Sequence, residues 1–252
     1  MIVIKTPAEI DILRECNRIV LEVLDEVGRR VQPGVTTLEL DAIAGRAVRR
    51  RGAEAAFKGY RGYPKSLCTS VNEEVVHGIP SHRRLREGDI VGIDFGVRYR
   101  GYCGDAARTV RVGRVGGGAA RLIETAERAL REAIAAAVPG NRVGDISSAI
   151  QRTAEAEGYS VIRDFVGHGI GRDLHEDPQI PNYAASERGP RLRPGMVLAI
   201  EPMIAAGGWE VEVAENGWTA RTKDRSLSAH AEYSVAVGGA GPVVLGVDGG
   251  SV

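Results

Sequence analysis

The chain is poor in aromatic residues: Phe, Tyr and Trp make up 5% of its 252 positions. Binding nucleic acid or an acidic membrane surface calls for an excess of basic charge. The chain has none, because 33 Lys and Arg balance 33 Asp and Glu. Cysteine is scarce as well. Cys16, Cys68 and Cys103 are odd in number and scattered, which argues against a disulfide framework and for a reducing compartment. Long apolar runs are missing too. Ile2-Val3-Ile4 is too short for a signal sequence, and no stretch nears the ~20 apolar residues of a membrane helix. These absences predict a cytoplasmic enzyme or binding protein with neither nucleic acid nor membrane as partner. A hydrophobic content of 43% is ample for a core.

What is present is a repeat. Arg84 to Asp94 reads RLREGDIVGID and Arg191 to Glu201 reads RLRPGMVLAIE, offset by 107 (191 − 84) with no gap. Leu85 matches Leu192, Gly88 matches Gly195, Ile93 matches Ile200 and Asp94 matches Glu201. Each copy is a Gly turn, an apolar run of strand length and one carboxylate. A buried strand tolerates an ionised carboxylate only if it protonates, pairs or binds a metal. Two equivalent strands delivering one carboxylate each point to a site shared between two halves.

The rest of the chain supports that plan. Thr6-Pro7-Ala8-Glu9 has capping-box spacing and opens a helix whose stripe is Ile10, Leu13, Asn17, Val20, Leu24 and Val27. Thr36 and Glu39 open a second helix that runs to Gly52, and Lys58 to Pro64 reads as a loop. Strand-like runs follow at Ser66–Val71, Ile90–Phe95 and Ala106–Val112, with a turn at Tyr99–Gly101. Gly116-Gly117-Gly118 reads as a hinge. Beyond it come a helix from about Arg121 to Val138, Pro139-Gly140, and another helix ending at Gly158; Pro33 to Gly52 and Pro139 to Gly158 are equally spaced. The expected fold class is α+β: one catalytic domain over 1–252, built of pseudo-twofold repeats at about 5–115 and 117–238. A largely antiparallel sheet would be covered by helices on one face. From Gly238 on, the Gly-rich chain is expected to fray.

The first half offers Asp94 and Asp105, the second Glu201 and Glu232. His168 stands among the glycines 167, 169 and 171. Four carboxylates and an imidazole form an oxygen-rich set suited to Mn, Fe, Co or Zn. Two such ions can activate a shared water and polarise a carbonyl, which is metal-assisted hydrolysis. His82 reads as solvated loop and Cys68 as a small buried hydrophobe.

Five segments carry a resemblance. YPKSLCTSVNEEVVHGIP, Tyr63 to Pro80, resembles the substrate-pocket segment of the type I methionine aminopeptidases. DFGVRYRGYCGDAARTV from Asp94 resembles their paired-aspartate segment, and GHGIGRDLHEDPQIPNY from Gly167 their two-histidine segment. GMVLAIEPM and Ser228 to Glu232 complete the set, in order, across residues 5 to 237. The resemblance implies the duplicated pita-bread fold around a dinuclear metal site between the halves. It implies Asp94, Asp105, His168, Glu201 and Glu232 as ligands, with Asp105 and Glu232 bridging. His77 and His175 would contact substrate, and Glu201 would also carry the proton of the attacking water. Tyr60, Tyr63, Cys68 and Trp218 would form the methionine pocket, with His77 and His175 beside it.

The family's monovalent cation site would fall near Asn72, Glu74 and Ser228. The implied reaction is removal of the initiator methionine from nascent chains with a small second residue, at the ribosome, by a monomer. Two departures stand out. Leu174 occupies a place where an aromatic residue often lines the pocket. The segment that usually reads Gln, aromatic, Glu, His is here His230, Ala231, Glu232, Tyr233, leaving open whether His230 faces the site or the surface. Proline-specific peptidases of this fold bear a large preceding domain, non-catalytic members lack ligands kept here, and type II enzymes carry an insertion after His175 that is missing.

Overall fold

Both N-terminal helices start where a threonine stands three residues before a glutamate. Thr6 accepts from Glu9 N–H while Glu9 takes Thr6 N–H, and Thr36 and Glu39 repeat the arrangement. The orphan amides of each first turn are thereby satisfied. The structure, a computed structural model, describes residues 1–250. The first half holds α1 (Pro7–Gly28), α2 (Thr37–Arg50), β1 (Glu54–Ala55), β2 (Cys68–Val71), β3 (Glu74–Val76), β4 (Ile90–Tyr99) and β5 (Tyr102–Arg111). The second begins with α3 (Gly117–Ala135), α4 (Val143–Ala156), β6 (Ser160–Val161), β7 (Val166–Gly169) and β8 (Glu176–Pro181). It continues through β9 (Val197–Ile200), β10 (Met203–Ala205), β11 (Val211–Val213), β12 (Ala220–Thr222), β13 (Ser228–His230), β14 (Glu232–Val237) and β15 (Pro242–Val244).

Nine strands form the main sheet, in the order β1-β4-β5-β14-β9-β7-β8, with β2 beside β4 and β15 beside β14. Its pairings are all antiparallel. Two three-stranded sheets, β13-β10-β6 and β11-β12-β3, flank it. The β4–β5 hairpin turns on Arg100 and Gly101, whose φ values of 51° and 81° suit the twist of a two-residue hairpin loop. One face of the sheet is apolar. Ile93, Phe95 and Val97 pack with Leu24, Leu40 and Val48 of α1 and α2, while Leu198, Ile200 and Val235 pack with Leu122, Ile146 and Ile150 of α3 and α4. Each such side chain contributes about 1.5–3 kcal/mol when fully buried.

The repeat is structural as well as sequential. Gly88 and Gly195 both sit at φ 91°, and Gly34 and Gly140 at 90° and 92°. Gly34 N–H donates to Leu85 O as Gly140 N–H does to Leu192 O. Helix α4 keeps only half of the capping box, since Asp145 accepts from Arg142 N–H but an arginine side chain cannot accept in return.

Two expectations need correction. Gly116–Gly118 are no hinge: Gly116 caps α3, and the other two form its first turn. Residues 242–245 do not fray, because β15 pairs with β14 and Leu245 is buried, while 251 and 252 lie outside the described residues. The run from Ser228 to Val237 is two strands in different sheets, broken where Ala231 N–H turns to Pro202 O.

Helix α1 lies so close to β5 that a Cβ on Gly104 would stand 2.8 Å from the Cys16 backbone. Gly104→Ala must push the helix away or bend the strand. We expect a loss of about 1–3 kcal/mol of stability, measurable by denaturant unfolding; an unchanged midpoint would show that the contact can relax freely.

Candidate metal centre

The ladders decide which side chains meet. Residues directly opposite in an antiparallel pair share a face, as do alternate residues along a strand. Ala107 of β5 lies opposite Asp94 of β4 on one side and Glu232 of β14 on the other. Asp105 is two residues from Ala107 and so joins them. Ala199 of β9 faces His168 of β7 and Ser234 of β14, which puts His168 on the same face as Glu232. Glu201 follows Ala199 by two residues and extends the set beyond the end of β9. The five residues expected as ligands therefore converge on the sheet face opposite the helices. Cys68, opposite Asp94 through the β2–β4 ladder, joins them as a wall.

Local bonds fix the pieces. Asp105 N–H donates to Asn17 Oδ1, and Asn17 Nδ2 donates to Leu13 O, so the one polar residue in the α1 stripe anchors this strand. His168 Nδ1 lies 2.9 Å from Gly169 O. A carbonyl only accepts, so Nδ1 carries the proton and the Nε2 lone pair is free for the cleft. The glycines beside His168 serve the fold: a Cβ on Gly167 would meet Ala199 O at 2.5 Å, and one on Gly169 would meet Asp177 O at 2.1 Å. They admit neighbouring backbone rather than a ligand.

The electrostatics of the cluster are unfavourable as it stands. Asp105, His168 and Glu232 are nearly fully buried. Asp94 Oδ1, Asp105 Oδ1 and Glu232 Oε1 have no hydrogen-bond partner. Among the described residues, Lys and Arg form no ion pair with any of the four carboxylates; Glu201 has His168 and His230, and Glu232 has His230. Burial pushes Asp94 and Glu201 up to about 7. Burial, then neighbouring carboxylates, pushes Asp105 and Glu232 up as well. Buried charge of one sign with orphan oxygens calls for a cation. Asp105, His168 and Glu232 can hold one, and so can Glu201, His230 and Glu232. The donor set fits divalent transition metals.

The cluster is the floor of a pocket whose walls are Phe57, Tyr60, Tyr63, Cys68, His77, Leu174, His175 and Trp218. Tyr63 and Trp218 meet edge to face with centroids 5.2 Å apart. Tyr60 stacks on His175, and its hydroxyl lies 2.9 Å from Nδ1 of that ring. Burial raises the Cys68 thiol, which keeps it protonated and apolar. Burial first, then His230, pulls His77 down to about 4, and its φ of 59° is unusual for a side chain of this size. His175 stands at the mouth, still reached by water; partial burial and then His168 lower its pKa, so both imidazoles are neutral at neutral pH.

Three features escaped the sequence reading. Phe57 and Arg61 line the pocket from a loop without periodicity. His230, whose orientation the sequence left open, points into the carboxylates. Near the expected monovalent site, Ser228 N–H donates to Asn72 O, but Glu74 is already engaged by Val71 N–H and Arg83.

This chain belongs to metallopeptidase family M24, whose model matches residues 11–238. Within it, the methionine aminopeptidase of Clostridium acetobutylicum is 49% identical over 97% of this chain and 98% of its own. Methionine aminopeptidase 1 of Bacillus subtilis is 48% identical over 94% and 96% respectively. The crystal structure of methionine aminopeptidase from Rickettsia prowazekii superposes with a TM-score of 0.96 at 40% identity, covering 98% of this chain and all of that one. The antiparallel sheet with its helices is thus the pita-bread architecture expected from the sequence.

The raised carboxyl pKa values carry a sign. From the ordinary values of 3.8 and 4.5 up to about 7, the folded protein binds more protons than the unfolded chain. Stability of chelated protein should therefore fall as pH rises from 5 to 8. Added Co or Zn should raise the melting temperature, and more at pH 8, where protons no longer compete. A chelated protein whose melting temperature climbs over this range would contradict the uncompensated charge.

Proposed function

We propose that this protein is a metal-dependent aminopeptidase that removes the N-terminal methionine from new polypeptides whose second residue is small. The observation that carries the reading is the cation-seeking cluster at the floor of a pocket walled by aromatic and apolar side chains. Residues 1–252 act as one catalytic domain, with Asp94 and Asp105 from one repeat and His168, Glu201 and Glu232 from the other. These five would hold two divalent ions, with Asp105 and Glu232 as the carboxylates shared between them. When bound, such ions supply an activated water and a Lewis-acid contact for the carbonyl oxygen.

The chain's own residues do the rest. Tyr60, Tyr63, Cys68 and Trp218 receive the unbranched thioether side chain, for which apolar rings and a protonated thiol are good surroundings. Glu201 accepts the proton of the attacking water and passes it to the leaving amine. His175, steered by Tyr60 through Nδ1, presents Nε2 to the carbonyl oxygen as charge develops there. His77, opposite Trp218 in the same wall, holds the scissile amide. One chain supplies every wall, so a monomer suffices, and the implied partner is a nascent N-terminus with no nucleic-acid or membrane contact.

The test is a cleavage assay on chelated protein resupplied with Co, Mn, Fe or Zn in turn. Met-Ala peptides should be cut in a metal-dependent manner, and Leu-Ala peptides should not. Preference for proline in second place would move the protein to another branch of the family. Asp105→Ala should lose bound metal and activity together. His175→Ala should keep its metal and lose about 10²–10⁴ in kcat; unchanged turnover would remove His175 from the chemistry.

A further inference from the structure

His230 is the one histidine of the cleft to which neither the repeat nor the family pattern gives a task. It sits at the end of β13, 3% exposed, in register with Met203 of β10. Its backbone is held twice by one hydroxyl: His230 N–H donates to Thr109 Oγ1, and that oxygen donates back to His230 O, each at 2.9 Å. A ring on such an anchor has little freedom, so where it points is set by the fold. Nε2 lies 3.5 Å from Glu201 Oε2 and 4.0 Å from Glu232 Oε2, and it has no hydrogen-bond partner.

Those distances discriminate between two roles. A charge-assisted hydrogen bond from an imidazole would close to about 2.7–2.9 Å. Donors that share one metal stand roughly 3–3.5 Å apart, because each lies about 2.0–2.2 Å from the ion. His168 supplies the comparison within the molecule. Its Nε2 is also 3.5 Å from Glu201, on the other oxygen, Oε1. The Glu201 carboxylate is thus flanked by two imidazole nitrogens at equal distance. The ligand atoms of Glu201, His230 and Glu232 all fall within 4.8 Å of one another, as do those of Asp105, His168 and Glu232.

We propose that His230 is a sixth ligand, giving its Nε2 lone pair to an ion on the side of Glu201 away from His168. The centre then has two imidazoles, where the family pattern provides one and places an amide side chain at this position. The inference rests on the metallopeptidase reading and deepens it. An added neutral nitrogen tightens binding without adding charge, and it makes the centre more favourable to ions that prefer imidazole, such as Zn and Co, over those that prefer oxygen, such as Mn.

The experiment uses the full chain, stripped of metal and titrated with Co(II) or Zn(II) alone. Binding is followed by calorimetry, by the visible spectrum of the Co form and by the side-chain resonances of 15N-labelled histidine in the Zn form. Wild-type protein should show the Nε2 resonances of both His168 and His230 shifting on Zn binding. His230→Gln, which places the family's own residue there and so preserves the fold, should weaken Co affinity at one ion about tenfold or more. It should also change the Co spectrum and narrow the preference for Co over Mn. Unaltered affinity and spectrum in His230→Gln would overturn the proposal. Weaker affinity with an unaltered spectrum and an unshifted wild-type His230 Nε2 would also overturn it, since His230 would then act only through Glu201. Wild-type protein that binds neither ion would sink the metallopeptidase reading itself, a failure distinct from the other two.

Discussion

Four carboxylates share one buried cleft, and among the described residues no arginine or lysine pairs with them. Most of the architecture can be understood as the means of holding that costly arrangement in place. The cost explains why the groups sit on strands rather than loops. A ladder whose other face is packed by four helices cannot splay to let water relieve the repulsion. Ala107 is central to this, standing between Asp94 and Glu232 on the ladder where the two halves join. The charge that destabilises the metal-free protein is the same charge that makes a cation bind.

The pocket above the cluster divides its labour. Its floor is polar and demands a metal, while its walls are aromatic and demand an apolar side chain. Tyr60 links the two levels: its ring forms part of the wall, and its hydroxyl orients His175. Leu174, where an aromatic residue is more usual, is buried in the same wall, so this pocket has one flat surface fewer to offer. The helices contribute at a distance. Asn17, a polar residue in the apolar stripe of α1, reaches Asp105 through the sheet and sets the strand that carries it.

The departures other than Leu174 fall together in the chain. His230, Ala231 and Tyr233 surround Glu232, at the point where the chain leaves one sheet for another. Exchanging an amide for an imidazole here is a change inside the carboxylate cluster rather than on the surface. Ala231 and Tyr233 border a cleft beneath α3, on the side away from the pocket, so they shape the support of Glu232 and leave the walls alone. A centre can thus keep its expected donors and still differ in which ion it prefers.

Much of this was legible in the chain. The two capping boxes, the apolar stripes and the matched Gly turns were readable because helix ends and tight turns are governed by a few neighbouring residues. The copy of RLREGDIVGID in RLRPGMVLAIE marks Asp94 and Glu201 as equivalents. Other features were decided only by tertiary structure. Gly116–Gly118 became a helix start because α3 buries a long apolar face, which outweighs the low helix propensity of glycine. The segment Pro242–Val244 is ordered because β14 offers it a pairing edge. Phe57, Arg61 and above all His230 reach the site through contacts between segments far apart in sequence. A histidine at the end of a short strand carries no local sign of where its ring points. That was settled by the register of β13 on β10 and by the hydroxyl of Thr109, which lies 121 residues away.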